Sequence, residues 1–365
     1  ASGKCRTTTS QWRSFMNNIS NSQLFALMFG VKTFSLICSG VTADASQMAG
    51  AAISIIAQFL LAIPMMTLYR REGFSVKKEM LFGKFGKCLY ALFFIVWGAV
   101  SFNRLWGVSK SVYFPVDSSL ACAVILAAVC LYCASMKLSS LSKSSVIIFG
   151  ILVFSMAVLI FVAYPKAELA NYIPDTELKT VMNSTINNFC SSGELVMLFI
   201  LLEFTKSNSH RGVTAFFIGA FIVTELIYII EITVLGRIID LTDFPFFTAG
   251  AFSQPFSIQR SDSLYMIVFT LLCVLNVTLQ LVLSSILIKE IFPELKYNTL
   301  LSVILMLGLS ALLNSTGVDI FPALGILIII LSIIIPVIML IRRVCNEKRT
   351  ADGGGSDSAP LRVQS

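Results

Sequence analysis

The stretch SQLFALMFGVKTFSLICSG at residues 22–40 is apolar enough to cross a bilayer, yet it carries Lys32 near its middle. About 20 mainly apolar residues span the hydrocarbon core. A charged group placed there costs at least ~2.5–3.5 kcal/mol on insertion scales. The stretch therefore predicts a membrane span whose charge needs a partner, water or a functional purpose.

The rest of the chain has the same apolar character. Of its 365 residues, 56% are hydrophobic and only 13% are charged, and the mean hydropathy is +0.84. Soluble domains carry about 25% charged residues. The apolar runs are continuous rather than alternating, which argues against a closed β-barrel. Ten runs are predicted spans, the sixth of them short: 22–40, 48–69, 86–107, 118–136, 144–164, 192–205, 213–236, 263–286, 299–316 and 320–341.

We therefore expect an all-α membrane protein of ten transmembrane helices, with a polar loop at 164–191 between the fifth and sixth spans. The spanning domain covers residues 19–343. It follows a cytoplasmic segment, 1–18, and precedes a disordered cytoplasmic tail, 344–365, which is rich in glycine and serine.

The basic residues predict the orientation. Twenty Lys and Arg residues fall at the termini and in the even-numbered connections, and six fall on the other side, Arg104 among them. Cytoplasmic loops carry the excess of basic residues, so both termini are predicted to be cytoplasmic. The net charge of +7 is then a consequence of topology, and a nucleic-acid partner has no support.

Ten spans divide into five plus five, and an odd number in each half inverts the second half relative to the first. In inverted-repeat transporters, interrupted spans at matching places point to the binding site. The first span of each half is unusual here. Span one carries Lys32, and span six opens with Ser191-Ser192-Gly193-Glu194.

Lys32 has two interpretations. Its ammonium either occupies the place of a coupling cation or pairs with an acidic group on span six or seven; alternatively, it forms a structural ion pair that closes a helix break. Glu194 could instead be interfacial. Glu225 and Glu231 on span seven are six residues apart, hence on different helix faces, and Glu225 is the deeper of the two.

Spans three and eight carry stripes at helical spacing, which predict one polar or aromatic face on each helix. These counterpart spans either line a shared cavity or hydrogen-bond to each other. The stripes are Tyr90, Phe94, Trp97, Ser101 and Arg104 on span three, and Cys273, Asn276, Gln280 and Ser284 on span eight.

Other motifs are missing. The sequence has no phosphate-binding P-loop, one histidine (His210) and no His/Cys cluster with metal-ligand spacing. We therefore expect neither an enzyme nor a cofactor or metal.

Three segments resemble the B-type subunits of bacterial spore germinant receptors, the GerAB-type endospore germination permeases. They are ISNSQLF at 19–25, FPFF at 244–247 and FSIQRSD at 256–262. That family belongs to the amino acid–polyamine–organocation superfamily, and the resemblance implies its LeuT-like five-plus-five inverted-repeat fold.

The resemblance also implies a function. The protein would be a germinant-sensing subunit in the inner membrane of a bacterial spore, working beside A-type and C-type receptor subunits and binding a small amino acid or similar metabolite. The site would lie between broken first and sixth spans, with spans three and eight as walls. Its residues would be Lys32, Thr33, Phe34, Ser35, Ser192, Gly193, Glu194, Trp97, Asn276 and Gln280.

One departure from the family concerns span one. The family has a G-x-G break where this chain has Thr33-Phe34-Ser35-Leu36, so Phe34 would fill part of the pocket and Gly30 and Gly40 would act as hinges. The alternative functions are a proton- or sodium-coupled amino acid permease and a scaffold subunit without a ligand.

Overall fold

The structure of the protein, a computed structural model, describes residues 19–39, 45–70, 83–113, 119–136, 138–172, 177–205, 210–253, 262–317 and 320–353. This part of the chain is helical and contains no strand. The helices are α1 (Asn21–Ile37), α2 (Ala45–Arg70), α3 (Lys84–Val108), α4 (Ser119–Ser135), α5 (Leu138–Ala163), α6 (Leu178–Cys190), α7 (Glu194–Leu201), α8 (His210–Leu235), α9 (Pro245–Phe252), α10 (Asp262–Ile291), α11 (Asn298–Thr316), α12 (Phe321–Ile329) and α13 (Ile335–Gly353). A π-helical segment, Ile330–Ile334, joins α12 to α13.

Seven helical segments in the described ranges are long and apolar enough to cross a membrane. They coincide with predicted spans two, three, five and seven to ten. The bent pair α6–α7 provides an eighth. The helices α1 and α4 have 17 residues each, the lower end of the length that crosses a bilayer. Spans one and four therefore stay predictions.

The first span begins with a capping box. The Ser20 hydroxyl accepts a hydrogen bond from the Gln23 backbone N–H at 3.3 Å, and the Ser20 N–H donates to Gln23 Oε1 at 3.0 Å. This reciprocal pair satisfies two backbone N–H donors at the start of the helix. The Ser-x-x-Gln pattern in the ISNSQLF segment is thus explained by its role in starting the first helix.

Span one is not broken where the family resemblance placed a break. The helix α1 is continuous through Thr33-Phe34-Ser35-Leu36 and ends at Ile37. The Thr33 hydroxyl donates to the Phe29 carbonyl within the same helix, at 2.9 Å. No glycine in this stretch favours unwinding. Of the two expected hinges, Gly30 lies inside the helix and Gly40 lies outside the described residues.

Span six is broken, but it begins earlier than the sequence indicated. The helix α6 lies inside the predicted loop 164–191, and α6 and α7 meet at a bend of 41° around Ser191, Ser192 and Gly193. The hydroxyls of Ser191 and Ser192 donate to the Asn188 carbonyl at 3.0 and 2.7 Å. They satisfy an acceptor at the end of α6, so the helix can stop inside the protein without an unpaired carbonyl there.

Spans one and six run antiparallel in a constant register. The Ile19 N–H donates to the Phe204 carbonyl, Lys32 faces Glu194, and Ser35 faces Ser191. The residue numbers in each pair add to nearly the same value, so one chain advances as the other returns.

Spans three and eight repeat this arrangement. Lys87 Nζ lies 2.9 Å from Glu290 Oε2, and Asn276 lies opposite Ser101. Corresponding spans of the two halves thus run in opposite directions, as a five-plus-five inverted repeat requires.

Phe246 and Phe247 of α9 are buried against Tyr265 and Phe269. One further expectation is corrected. The helix α13 continues to Gly353, so the first ten residues of the predicted tail 344–365 are helical. Segment 1–18, residues 354–365 and most of the FSIQRSD segment lie outside the described residues.

We predict that the fold depends on the close approach of α2 to α6. A Cβ at Gly50 would lie 2.6 Å from Ser184 Cβ, whereas a Cβ at Gly150 would meet nothing within 4 Å. Gly50→Leu should therefore cost at least about 1–3 kcal/mol of stability through overpacking, measured as a lower midpoint of thermal unfolding in detergent. The matched control Gly150→Leu should leave the midpoint unchanged or raise it. Equal midpoints for the two variants would contradict the α2–α6 packing.

Candidate functional site

The centre of the site is an ion pair between spans one and six. Lys32 Nζ lies 3.6 Å from Glu194 Oε1, and the two side chains are 7% and 3% exposed. Glu194 is the first residue of α7, where the partial positive charge of a helix N-terminus favours a carboxylate. Lys32 thus has an acidic partner on span six, as both the functional and the structural interpretation allow, and Glu194 is buried within the protein.

The Glu194 carboxylate has unused hydrogen-bonding capacity. Within the described part of the chain, neither of its oxygens accepts a hydrogen bond, because the 3.6 Å separation from Lys32 exceeds hydrogen-bond distance. Buried carboxylate oxygens are normally supplied with donors. The pair is therefore an incomplete polar group placed at the break in span six.

Ser35 connects the break to span three. Its hydroxyl accepts a hydrogen bond from Arg104 Nη1 at 3.1 Å and donates to the Ser191 carbonyl at 3.5 Å. The Arg104 guanidinium lies 5.0 Å from the centre of the Phe321 ring and interacts electrostatically with Glu194. Arg104, which the basic-residue count places on the outer side, thus also takes part in the site. It is a second cation of the site.

Ser192 connects the break to span two. Its hydroxyl accepts a hydrogen bond from Gln58 Nε2 at 2.8 Å, and the same nitrogen lies 3.0 Å from Ser54 Oγ. From the sequence, Gly50, Ser54 and Gln58 at intervals of four residues indicate only close helix packing of span two, and Asn188 has no predicted role. A signal for Gln58 was present, since Ser54 and Gln58 are polar residues four apart in an apolar span. Asn188 was missed because α6 was assigned to a loop.

Gly193 provides room for Trp97. Its φ of −60° is open to any residue, so conformational freedom does not explain the glycine. A Cβ there would instead collide with the Trp97 indole. Trp97 is 4% exposed, and its ring stacks on Phe93 at 5.7 Å between centroids. The indole therefore lies against the break, as its place in the span-three stripe suggested.

Within the described ranges, none of the remaining predicted residues forms a hydrogen bond with Glu194. Thr33 bonds within α1, and Phe34 stacks on Phe269 of α10 at 5.5 Å. Asn276 Nδ2 and Gln280 Nε2 donate to the Ser101 hydroxyl at 3.1 and 3.3 Å. The polar stripes of spans three and eight therefore hydrogen-bond to each other, which was the second of their two interpretations.

Comparisons with known proteins support the fold. No family model matches the chain, and no curated protein matches it. A solved structure of Mhp1, a nucleobase-cation-symport-1 family transporter in a closed conformation with bromovinylhydantoin bound, matches with a TM-score of 0.59 and 16% sequence identity. The match covers 86% of this chain and 78% of that one. The described part of the protein therefore shares the fold of that structure.

We predict a strongly non-additive response when the ion pair is removed. Breaking a buried pair by deleting one partner typically costs about 3–5 kcal/mol. Glu194→Gln should cost more than Lys32→Met, because it leaves both Lys32 and Arg104 without the carboxylate. The double variant Lys32→Met/Glu194→Gln removes the lysine that Glu194→Gln leaves unpaired, although Arg104 still lacks the carboxylate, and should recover part of the loss in thermal unfolding.

The control is Lys87→Met, which removes a cation from the more exposed Lys87–Glu290 pair, whose side chains are 15% and 20% exposed. It should cost less than either single variant. Additive losses in the Lys32/Glu194 cycle would show that the two groups do not interact.

Proposed function

We propose that the protein is a germinant-sensing membrane subunit that binds a small zwitterionic metabolite, such as an amino acid, at the break in span six. The observation that carries this proposal is the buried Glu194 carboxylate, which accepts no hydrogen bond from the described residues, lies 3.6 Å from Lys32 Nζ and interacts electrostatically with Arg104.

The charges of the site suit a zwitterion. Lys32, Arg104 and Glu194 sum to one positive charge. An ammonium group of the ligand would supply the donors that Glu194 lacks, and its carboxylate would bind Arg104 or the N–H groups at the start of α7. A zwitterion adds no net charge, so it meets both requirements without leaving a new charge unpaired in the membrane.

The packing of the site restricts ligand size. The Trp97 indole lies against Gly193, and Phe34 is 1% exposed and stacked on Phe269. A bulky ligand would have to displace one of these rings. We therefore expect small metabolites to bind best, including the small amino acids that the resemblance to germinant receptors implies.

The sensing role rests on that resemblance and on span one. A sensor needs a conformational change that depends on the ligand. The break in span six is where such a change would occur, next to the continuous helix α1. Signal output would then pass to A-type and C-type subunits in the spore inner membrane. Lys32, Ser35, Ser192, Gly193, Glu194 and Trp97 are the proposed binding residues, with Thr33, Phe34, Asn276 and Gln280 behind them.

A permease is the second candidate. It is favoured by the likeness of the fold to a transporter that has been solved with a small molecule bound. In that case a proton or sodium gradient would drive uptake of the same class of solute.

We predict that small amino acids raise the thermal unfolding midpoint of the purified protein, since a ligand that binds only the folded state stabilises it. Glu194→Gln should weaken binding at least about tenfold, which corresponds to 1.4 kcal/mol, because it replaces the charged acceptor of the ligand ammonium. Lys87→Met should retain wild-type binding, because Lys87 lies near the start of α3 and pairs with Glu290 near the end of α10, away from Glu194. A panel of amino acids that leaves every midpoint unchanged would refute the ligand class.

Reconstitution separates the two functions. A germinant-receptor subunit should bind the metabolite but not accumulate it when the chain alone is placed in liposomes, and it should co-purify with A-type and C-type subunits. Gradient-driven uptake of radiolabelled amino acid by the chain alone would establish the permease instead.

A further inference from the structure

A second polar cluster lies on span seven, away from the Lys32–Glu194 pair. Thr224, Tyr228 and Glu231 follow one another at intervals of four and three residues, so they share one face of α8. Each is 1% exposed. From the sequence, Glu225 was expected to be the deeper of the two carboxylates on this span, but Glu225 is only half-buried, and Glu231 is the carboxylate enclosed by the protein.

Glu231 has no charge partner. Among the described residues, Glu231 forms no ion pair, and Glu231 Oε2 and Thr224 Oγ1 have no hydrogen-bond partner. A buried carboxylate without a counter-charge is more stable in its neutral form, because the ionised form loses its hydration without compensation.

The charged groups of the neighbouring elements do not supply a counter-charge. The helix α1 contributes only Lys32, which is paired with Glu194. The helix α9 has no charged residue. The others lie at helix ends or on the protein surface. They are Arg70 at the end of α2, Lys143 near the start of α5, Lys179 exposed near the start of α6, Glu225 half-buried on α8 itself, and Glu168, Arg237 and Asp240 exposed outside the α-helices.

Tyr228 connects this carboxylate to the break in span six. It lies one turn from Glu231 and interacts with it electrostatically. Its hydroxyl donates to Asn188 Oδ1 at 3.4 Å, and the Asn188 carbonyl in turn accepts the Ser192 hydroxyl at 2.7 Å. Two residues therefore separate Glu231 from the turn that interrupts the span.

We propose that Glu231 is a proton-binding site whose protonation state is transmitted to the break in span six through Tyr228 and Asn188. The cluster does not suit a metal ion. Thr224 and Glu231 are seven residues apart, which is about 10 Å along a helix, so their oxygens cannot hold one ion together. A proton needs only the carboxylate.

The transmission follows from hydrogen-bond strength. With Glu231 neutral, the Tyr228 hydroxyl donates to Asn188, as the structure has it. An ionised Glu231 would attract that hydroxyl into a charge-assisted hydrogen bond, which is about twice as strong as a neutral one. Asn188, in the last turn of α6, would lose its donor, and that turn, to which Ser192 is hydrogen-bonded, would be released.

This inference deepens the proposed function by naming the ion that accompanies solute binding, and it rests on that function only for its biological use. Its test is run without any metabolite, so its failure and the failure of solute binding are distinguishable.

The first measurement is infrared difference spectroscopy of the purified protein in lipid as a function of pH. A protonated carboxyl group has a C=O stretching band that the ionised group lacks. The wild type should keep this band at neutral pH. Glu231→Gln should lose it, Glu225→Gln should retain it, and Glu231→Asp, which keeps a carboxyl group, should shift it. A band that survives in Glu231→Gln, or that is lost in Glu225→Gln instead, would overturn the assignment.

The second measurement follows the break itself. In a variant with Trp12 and Trp106 replaced by Phe, the fluorescence of Trp97 reports on the surroundings of Gly193. The Trp97 emission should change over the same pH range in which the infrared band of the protonated carboxyl group disappears. Glu231→Gln should abolish this pH response. Tyr228→Phe should abolish it too while keeping the infrared band, because only the transmission is broken. An unchanged pH response in Tyr228→Phe would contradict the route to the break.

Discussion

Hydrocarbon accepts neither an isolated charge nor a backbone group without a hydrogen bond, and the contact between Lys32 and Glu194 meets both constraints at one place. The lysine on α1 needs a carboxylate, and Glu194 can meet it because span six stops being a helix at Ser191–Gly193 and starts again with that residue. The interruption is tolerated because the hydroxyls of Ser191 and Ser192 both donate to the Asn188 carbonyl in the last turn of α6. Charge pairing and helix interruption therefore depend on each other.

The inverted arrangement of the two halves brings this pair to the centre of the molecule. Spans one and six run antiparallel and meet at Lys32–Glu194, while spans three and eight run antiparallel and meet at Ser101 with Asn276 and Gln280. Span three joins the two pairs, since Trp97 lies against Gly193 and Arg104 reaches Ser35. A conformational change at the break would therefore alter the packing of spans one, three, six and eight together. This property suits a protein that responds to a bound solute.

The sequence predicted the membrane class, most of the spans and the acidic partner of Lys32, because hydropathy and the cost of a buried charge depend on local composition. It failed where tertiary packing decides. The sequence of α6 is polar enough to resemble a loop. However, Ser184 of α6 packs closely against Gly50 of α2, and α6 forms the first half of span six. Span one was expected to break, but Thr33 and its neighbours stay helical. Glu231 was passed over because spacing alone did not show which carboxylate is enclosed.

The most direct test of the account is an electron cryo-microscopy structure of the protein in lipid nanodiscs, determined with and without a small amino acid. The account predicts a continuous helix from Asn21 to Ile37, an interruption at Ser191–Gly193, and, in the presence of amino acid, new density that contacts the Glu194 carboxylate. An uninterrupted helix from Leu178 to Phe204, with Lys32 far from Glu194, would contradict it.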